Sequence, residues 1–399
     1  MKRDRRRARG EGRARLAVCG VAIALAFGAA PLAAQDDGIP WRLSYFPYPE
    51  VSPNDGLMGI ARVLWFRQAP WGERVTLQNS VALEAGYSTR DAWLGRVTWA
   101  NPRLADGWRI VAHGEVGDQP RFGDPDDPMD RERAHAWVDV TRRLSGPVLV
   151  AVRGAFQHDR IAGTLDQASE RYPGVTIDED YSLVDPVPGA VLPATITRDE
   201  VNGRAALVLD LRDREYEVNR GALLEAGVTV GTADGESYTQ PYLHARGWLR
   251  PAQPLRLTAR LGWLAPVDDL QSLAARHTLP GWEQPFTIFG GPRSHRGLGI
   301  GQRTAPGWLF AGGEARFDIL NVGEMGAVTL LAFADGGKPL DPPLGSCPIN
   351  DPDCDPTPGW NWGMGGGLAI RVLRAAPLTI TASGGDGETR WYVGSGWAW

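Results

Sequence analysis

Apolar and polar residues alternate along much of this chain with a period of two. In residues 255–263 the odd positions are Leu, Leu, Ala, Leu and Trp, while the even positions are Arg, Thr, Arg and Gly. Residues 201–212 and 378–383 alternate in the same way. Because successive side chains of a β-strand point to opposite faces, this period predicts strands rather than helices. We therefore expect an all-β protein.

The polar positions of these strands indicate which kind of all-β protein this is. Arg204, Asp210 and Arg212 lie opposite the apolar row of their segment, and other segments place Arg, Glu and His similarly. Strands with one charged face and one apolar face are typical of a transmembrane β-barrel with a hydrated lumen. An exported, soluble β-sandwich is the alternative, since its strands also alternate.

The C-terminal segment, residues 390–399, favours the barrel. It is a short alternating stretch that includes Trp397 and Trp399. Exposed tryptophans invite aggregation of a soluble protein, whereas barrels place aromatic residues at the lipid–water interface. We expect this segment to be the closing strand. Gly394 and Gly396 favour weak pairing at its seam with the first strand, although such glycines are equally usual in barrel packing.

Connection lengths predict a transmembrane antiparallel barrel of about 16 strands. Long connections alternate with short turns, so all long loops fall at one end of the barrel, as in outer-membrane barrels. Fifteen strands are recognisable between about residues 56 and 399, and residues 41–46 are the best candidate for the first strand. The predicted short turns lie near 101–106, 145–147, 213–219, 251–254, 321–324 and 373–376, and the long loops near 118–130, 159–200, 265–306 and 338–360.

Residues 1–34 have the pattern of a secretory signal peptide, with an arginine-rich start, an apolar stretch and small residues before the expected cleavage site. The alternative is an uncleaved anchor. Setting this segment aside removes 8 basic and 2 acidic residues and leaves a net charge of −11. Such a charge disfavours a nucleic-acid partner, which needs a basic surface. Residues 35–399 are then almost entirely barrel, with room for only 35–55 before it.

Cys347 and Cys354 are the two cysteines that remain, and both lie in one predicted outer loop. In an exported protein this spacing predicts a small loop disulfide. A calcium site at the nearby aspartates is the alternative, although the glycine and glutamate of known calcium loops are missing.

The loop at residues 265–306 contains a motif that resembles the BamA/TamA-like outer-membrane barrels, also called bacterial surface antigens. In that superfamily a long loop folds into the lumen and ends in a Val-Arg-Gly-aromatic tip. Only the Arg-Gly pair is kept here, because a histidine replaces the aliphatic residue and a leucine replaces the aromatic one. The matching residues are Gly290, Gly291, His295, Arg296, Gly297 and Leu298.

Two further segments resemble the same superfamily. Phe333, Asp335 and Gly337 match a Phe-x-Asp-x-Gly strand motif, and residues 209–213 with 219–221 match an Asp-x-Arg-Asp strand end and its turn. Together the motifs cover about residues 200–399.

The resemblance implies that Arg296 enters the lumen and pairs with Asp335, close to Glu314. A buried arginine needs anionic partners, and a guanidinium holds a carboxylate in a bidentate geometry that lysine lacks. Glu314 and Arg316 share one face of their strand, and Phe333 and Asp335 share one face of the next. The alternative is that these acids pair only with arginines of neighbouring strands.

The function that the resemblance implies is assembly or translocation of proteins at the bacterial outer membrane, without enzymatic activity or cofactors. We expect a monomeric barrel in contact with outer-membrane lipids and with outer-membrane protein substrates or a separate periplasmic partner. Superfamily members with this role carry periplasmic modules, for which this chain has no room. The alternatives are a passive or gated channel and a surface-exposed binding barrel.

Enzymatic interpretations have little support in the sequence. The six histidines occur singly, without the spacing of metal ligands, and no Gly-x-Ser-x-Gly motif is present. His158 and Asp159 form the only local pair of a catalytic type, and we interpret them as the start of a solvated loop.

Overall fold

The computed structural model describes residues 39–172, 174–178, 192–282, 287–340, 359–372, 377–385 and 387–396. The predicted signal peptide at 1–34, Cys347, Cys354, Trp397 and Trp399 lie outside the described residues. The predicted signal peptide and the predicted disulfide therefore stay predictions.

Sixteen antiparallel strands form a closed β-barrel in which consecutive strands are neighbours. The all-β prediction and the strand number are thereby confirmed. In chain order the strands are β1 (Arg42–Tyr45 and Tyr48–Ser52), β2 (Gly56–Gln68), β3 (Leu77–Ser88), β4 (Trp93–Ala105), β5 (Trp108–Gly123), β6 (Pro128–Ser145), β7 (Val148–Thr164), β8 (Pro193–Asp210), β9 (Gly221–Ala233), β10 (Glu236–Ala252), β11 (Leu255–Leu264), β12 (Gly307–Asn321), β13 (Gly326–Leu340), β14 (Asn361–Val372), β15 (Leu378–Gly385) and β16 (Glu388–Ser395).

Among the described residues, the seam between β1 and β16 has the fewest register pairs of the barrel's junctions. Within the described residues it has a single register pair, Val51 with Val393. The β15–β16 register, in contrast, is uninterrupted over the full length of both strands. The first strand was predicted at 41–46, but the segment beside β16 is Tyr48–Ser52. Pro47 separates the two segments of β1, because proline has no N–H to donate to a strand ladder.

The connections longer than ten residues all lie at one end of the barrel, which we call the outer end. They are 165–192, 265–306 and 341–360. Both termini of the sheet and the turn at 211–220 lie at the opposite, inner end. The predicted loops at 118–130 and 159–200 are shorter than expected, because β5 to β8 extend further outward. Ile161 and Ile196, at these extended ends, are completely buried in one apolar cluster.

The two faces of the barrel wall differ in polarity. In β8 every even-numbered side chain is buried, while the odd-numbered ones are partly or fully exposed. The outward rows carry large apolar side chains, including Trp65, Leu261 and Trp391, each more than half exposed. Although the chain is acidic, arginines outnumber carboxylates among the buried side chains of the described residues. No helix in the part of the chain that the structure describes is long and apolar enough to cross a membrane.

A substitution on the outward face tests whether this face lies in lipid. Leu261 lies near the middle of β11, whereas Leu211 directly follows the inner end of β8, and both are about half exposed. We expect Leu261→Arg to lower the free energy of unfolding by about 2–4 kcal/mol, because arginine is most costly at the bilayer midplane. Leu211→Arg should cost about 0–1 kcal/mol, since it lies near the interface. Denaturant titration in lipid vesicles measures both, and equal effects would contradict a lipid-facing wall.

Candidate functional site

The segment 265–306 connects β11 to β12 and contacts many inward-facing side chains. It contains the short helix Leu273–His277 and a two-residue hairpin of Thr278–Leu279 with Thr287–Ile288. Its chain then turns at residues 289–300, which include every predicted tip residue. We call residues 289–300 the loop tip.

Arg296 is the most extensively bonded residue of the loop tip. Its Nε lies 2.7 Å from Oδ2 of Asp335, and its Nη2 lies 3.0 Å from Oδ1 of the same carboxylate. Its Nη1 donates to Glu314, and its backbone N–H donates to Asp335 over 3.2 Å. Asp335 belongs to β13 and Glu314 to β12, so one guanidinium joins two strands of the wall.

The surroundings of Arg296 compensate the cost of burying its charge. Arg296 is only 1% exposed, and its guanidinium carbon lies 3.4 Å from the centre of the Phe333 ring. Burial by itself lowers the pKa of Arg296, but the carboxylates of Asp335 and Glu314 outweigh this effect and raise it. The second oxygen of Glu314 accepts from Nε of Arg316 over 2.6 Å. The four predicted partner residues thus lie together around Arg296.

Glycines allow the loop tip to approach the wall closely. Gly290 and Gly291 have φ angles of +89° and +88°, and a Cβ at Gly290 would lie 2.1 Å from the carbonyl oxygen of Gly299. Gly297 lies against Gly363 of β14, where a Cβ on Gly297 would be 2.6 Å from the Cα of Gly363. Neither contact leaves room for a side chain.

Two side chains of the last strand bind the backbone of the loop tip. Arg390 donates to the carbonyl oxygen of Gly297 over 2.5 Å, and the Tyr392 hydroxyl donates to that of Leu298 over 2.7 Å. The loop tip therefore contacts β16 as well as β12 and β13.

The two departures from the superfamily motif both occupy buried positions. The ring Nε2 of His295 lies 2.8 Å from the carbonyl oxygen of Asn361 in β14. Leu298 belongs to an apolar cluster with Phe289, Trp308 and Phe310, in which Phe289 and Trp308 stack at 3.8 Å between ring centres. Leu298 thus fills part of the apolar cluster that contains the stacked rings.

Asn54 is a site residue that sequence reasoning missed. It lies in the outer turn between β1 and β2 and is 1% exposed. Its side-chain NH2 donates to the carbonyl oxygens of Arg121 and Gly123, and its Oδ1 accepts from the N–H of Ile300 over 3.0 Å. An asparagine before an aspartate in a turn is common, so its sequence context gave no signal.

Arginines of the barrel wall also donate to carbonyl groups of the segment 265–306. This segment has few strand partners of its own, so its buried carbonyl oxygens need other donors. The pairs are Arg153 with Trp282, Arg204 with Gly281, Arg260 with Arg293 and Arg390 with Gly297.

The remaining predicted residues lie elsewhere. Asp210 and Asp213 are at the inner end, where Arg212 donates to Asp210 and Asn219 donates to Asp213. His158 pairs with Asp199 of β8 on the exposed side of the wall, not with Asp159. Asp159 instead faces inward and pairs with Arg131. The described residues contain no group of three or more His, Cys, Asp or Glu able to hold a metal ion.

Comparison with solved structures identifies barrels of the same architecture. The chain is similar to BamA from Haemophilus ducreyi lacking POTRA domains 1–3, with a TM-score of 0.55, 11% sequence identity, and coverage of 89% of this chain and 70% of that one. CdiB from Escherichia coli gives a TM-score of 0.54 and 13% identity over 89% and 67% of the two chains. At these identities the similarity concerns the fold. No protein-family model and no curated protein matches the sequence.

Removing the Arg296 side chain should destabilise the barrel. In Arg296→Ala, Asp335 and one carboxylate oxygen of Glu314 lose their cationic partner in a buried site. Breaking such a buried pair lowers the free energy of unfolding by about 3–5 kcal/mol. Arg296→Lys should recover only part of this loss, because lysine cannot bind in a bidentate manner. The matched control is Arg293→Ala, an exposed arginine three residues away. The midpoint temperature of heat-induced unfolding, followed on gels, is measured for all three variants. Equal midpoints for Arg296→Ala and Arg293→Ala would contradict a stabilising role of the Arg296 contacts.

Proposed function

We propose that this protein is an outer-membrane barrel that assembles or translocates other proteins by opening its seam. The observation that carries this proposal is that, within the described residues, one register pair, Val51 with Val393, joins the first and last strands. A strand edge with unpaired backbone groups is a template for pairing with another chain. Opening this junction would offer such edges to an incoming polypeptide at the lowest cost.

The outer surface and the fold support this location and role. The outward rows are apolar, and a barrel satisfies its backbone hydrogen bonds internally, as a lipid environment demands. The architecture is shared with BamA and CdiB. The substrates would be outer-membrane or exported polypeptides, received directly or from a separate periplasmic protein.

The loop tip would control the seam from inside the barrel. Its carbonyl groups bind Arg390 and Tyr392 of β16, and the N–H of Ile300 binds Asn54 in the turn that follows β1. These bonds lie on both sides of a junction at which the described residues form one register pair. Movement of the loop tip would break its bonds to β16 and to the turn after β1 together. Re-formation of the Arg296 contacts would return the loop tip to the closed position.

A reversible covalent lock across the seam tests this function. In a chain whose Cys347 and Cys354 are replaced by serine, Val51→Cys with Val393→Cys places two thiols on one register pair. We expect oxidation to stop the protein from accelerating the folding of an unfolded outer-membrane barrel into proteoliposomes. Reduction should restore that activity, because only the covalent bond has changed.

The control lock joins two strands that need not separate. Ile380→Cys with Val393→Cys uses the register pair between β15 and β16 and keeps one of the two positions unchanged. Its oxidation should leave folding activity intact. Full activity of the oxidised Val51–Val393 pair would rule out a mechanism that opens the seam.

A further inference from the structure

We propose that the inner mouth of the barrel is closed by its own turn, residues 211–220, which acts as a second gate independent of the loop tip. We call these residues the inner turn. They connect β8 to β9 and bring two acidic side chains, Glu215 and Glu217, to arginines on different parts of the wall. The inference goes beyond protein assembly and rests only on the chain being a membrane barrel.

Glu215 joins the inner turn to the side of the barrel that contains β5. Nη2 of Arg109, at the inner end of β5, lies 2.5 Å from Oε2 of Glu215. The backbone N–H of Glu215 donates over 2.9 Å to the carbonyl oxygen of Arg74, in the turn between β2 and β3. The Arg74 side chain in turn reaches Asp210 at the end of β8.

Glu217 joins the inner turn to the other side of the barrel. Its Oε1 lies 2.6 Å from Nε of Arg371, at the inner end of β14, and 3.8 Å from Nη1 of Arg256 in β11. In a closed barrel of sixteen strands, β5 and β14 lie on nearly opposite walls. A turn that reaches both walls must cross the mouth between them.

The backbone of the inner turn is built to hold this position. Glu217 adopts a left-handed φ of 46°, which is uncommon for a residue other than glycine. Gly221 has a φ of 121°, and a Cβ there would lie 2.3 Å from the carbonyl oxygen of Leu211. Asp213 accepts from both the backbone and the side chain of Asn219, which closes the turn on itself.

The inner turn meets the outer loop inside the barrel. Arg109, the partner of Glu215, lies 4.9 Å from the ring centre of Trp282, which belongs to the segment 265–306. The Trp282 ring N–H donates to the hydroxyl of Thr141 over 2.7 Å, and its backbone N–H donates to Glu225. The two segments thus enter from opposite ends and meet at Arg109. Glu215 and Glu217 hold the inner turn to Arg109 and Arg371 without using Arg296, which holds the loop tip.

Conductance in planar bilayers distinguishes a barrel closed by the loop tip alone from one closed by both the loop tip and the inner turn. We expect low conductance from the native chain, from Arg296→Ala and from Glu215→Gln with Glu217→Gln. Combining all three substitutions should raise the mean conductance about tenfold, because weakening both closures shifts the population of open states. The matched control adds Glu73→Gln to Arg296→Ala, since Glu73 pairs with Arg103 at the same end and its side chain is 36% exposed. A large conductance from Arg296→Ala alone, or none from the triple variant, would overturn the proposal.

A second measurement leaves the loop tip unchanged and also works in detergent. Thr329 of β13 is 1% exposed and donates to Asp318, which binds Arg256 beside Glu217. In a chain lacking other cysteines, Thr329→Cys should react slowly with a bulky, charged maleimide. Adding Glu215→Gln and Glu217→Gln should accelerate the reaction about tenfold, since the inner turn opens more often. An unchanged rate would overturn the inner gate without bearing on assembly activity.

Discussion

The width of the barrel is the constraint on which the rest of this structure depends. Eight strands enclose a space that wall side chains can fill, whereas sixteen strands enclose a much wider lumen. The part of this lumen that wall side chains cannot fill has to be filled by segments that connect the strands. Trp282 of the long outer connection and Glu215 of the inner turn contact the same wall residue, Arg109, from opposite directions. The segments that look like loops in the chain therefore serve as core.

Filling a lumen with backbone explains why its wall is rich in arginine. A connecting segment without strand partners carries carbonyl groups that need donors once they are buried. Arginine supplies several donors in a planar arrangement and accepts none, so it can bind a carbonyl and a carboxylate together. Arg153 does so, with Trp282 and Asp139 among its partners. The surplus of buried arginines over buried carboxylates follows from these additional acceptors.

The strand architecture was predictable from sequence, whereas the contacts across the lumen were only partly so. A period of two predicted the strands, and loop lengths predicted sixteen of them, because both signals are local. The grouping of Arg296 with Asp335 and Glu314 came from a resemblance, since 39 residues separate Arg296 and Asp335 in the chain. The inner turn was predicted only as a short connection. Its partners, Arg109 and Arg371, lie more than a hundred residues away on either side, and no spacing relates them.

The identity of the basic side chains limits which stimuli could open the gates proposed above. Arg296, Arg109 and Arg371 hold the two blocking segments, and a guanidinium does not lose its proton in proteins. Lysines at the same positions could lose their charge after burial, which would let the surroundings loosen the closure. An arginine offers several donors at once, so a contact of this kind is broken by competition for those donors. Opening of the proposed gates would then require a competitor for the same donors, such as a polypeptide with its many carbonyl groups.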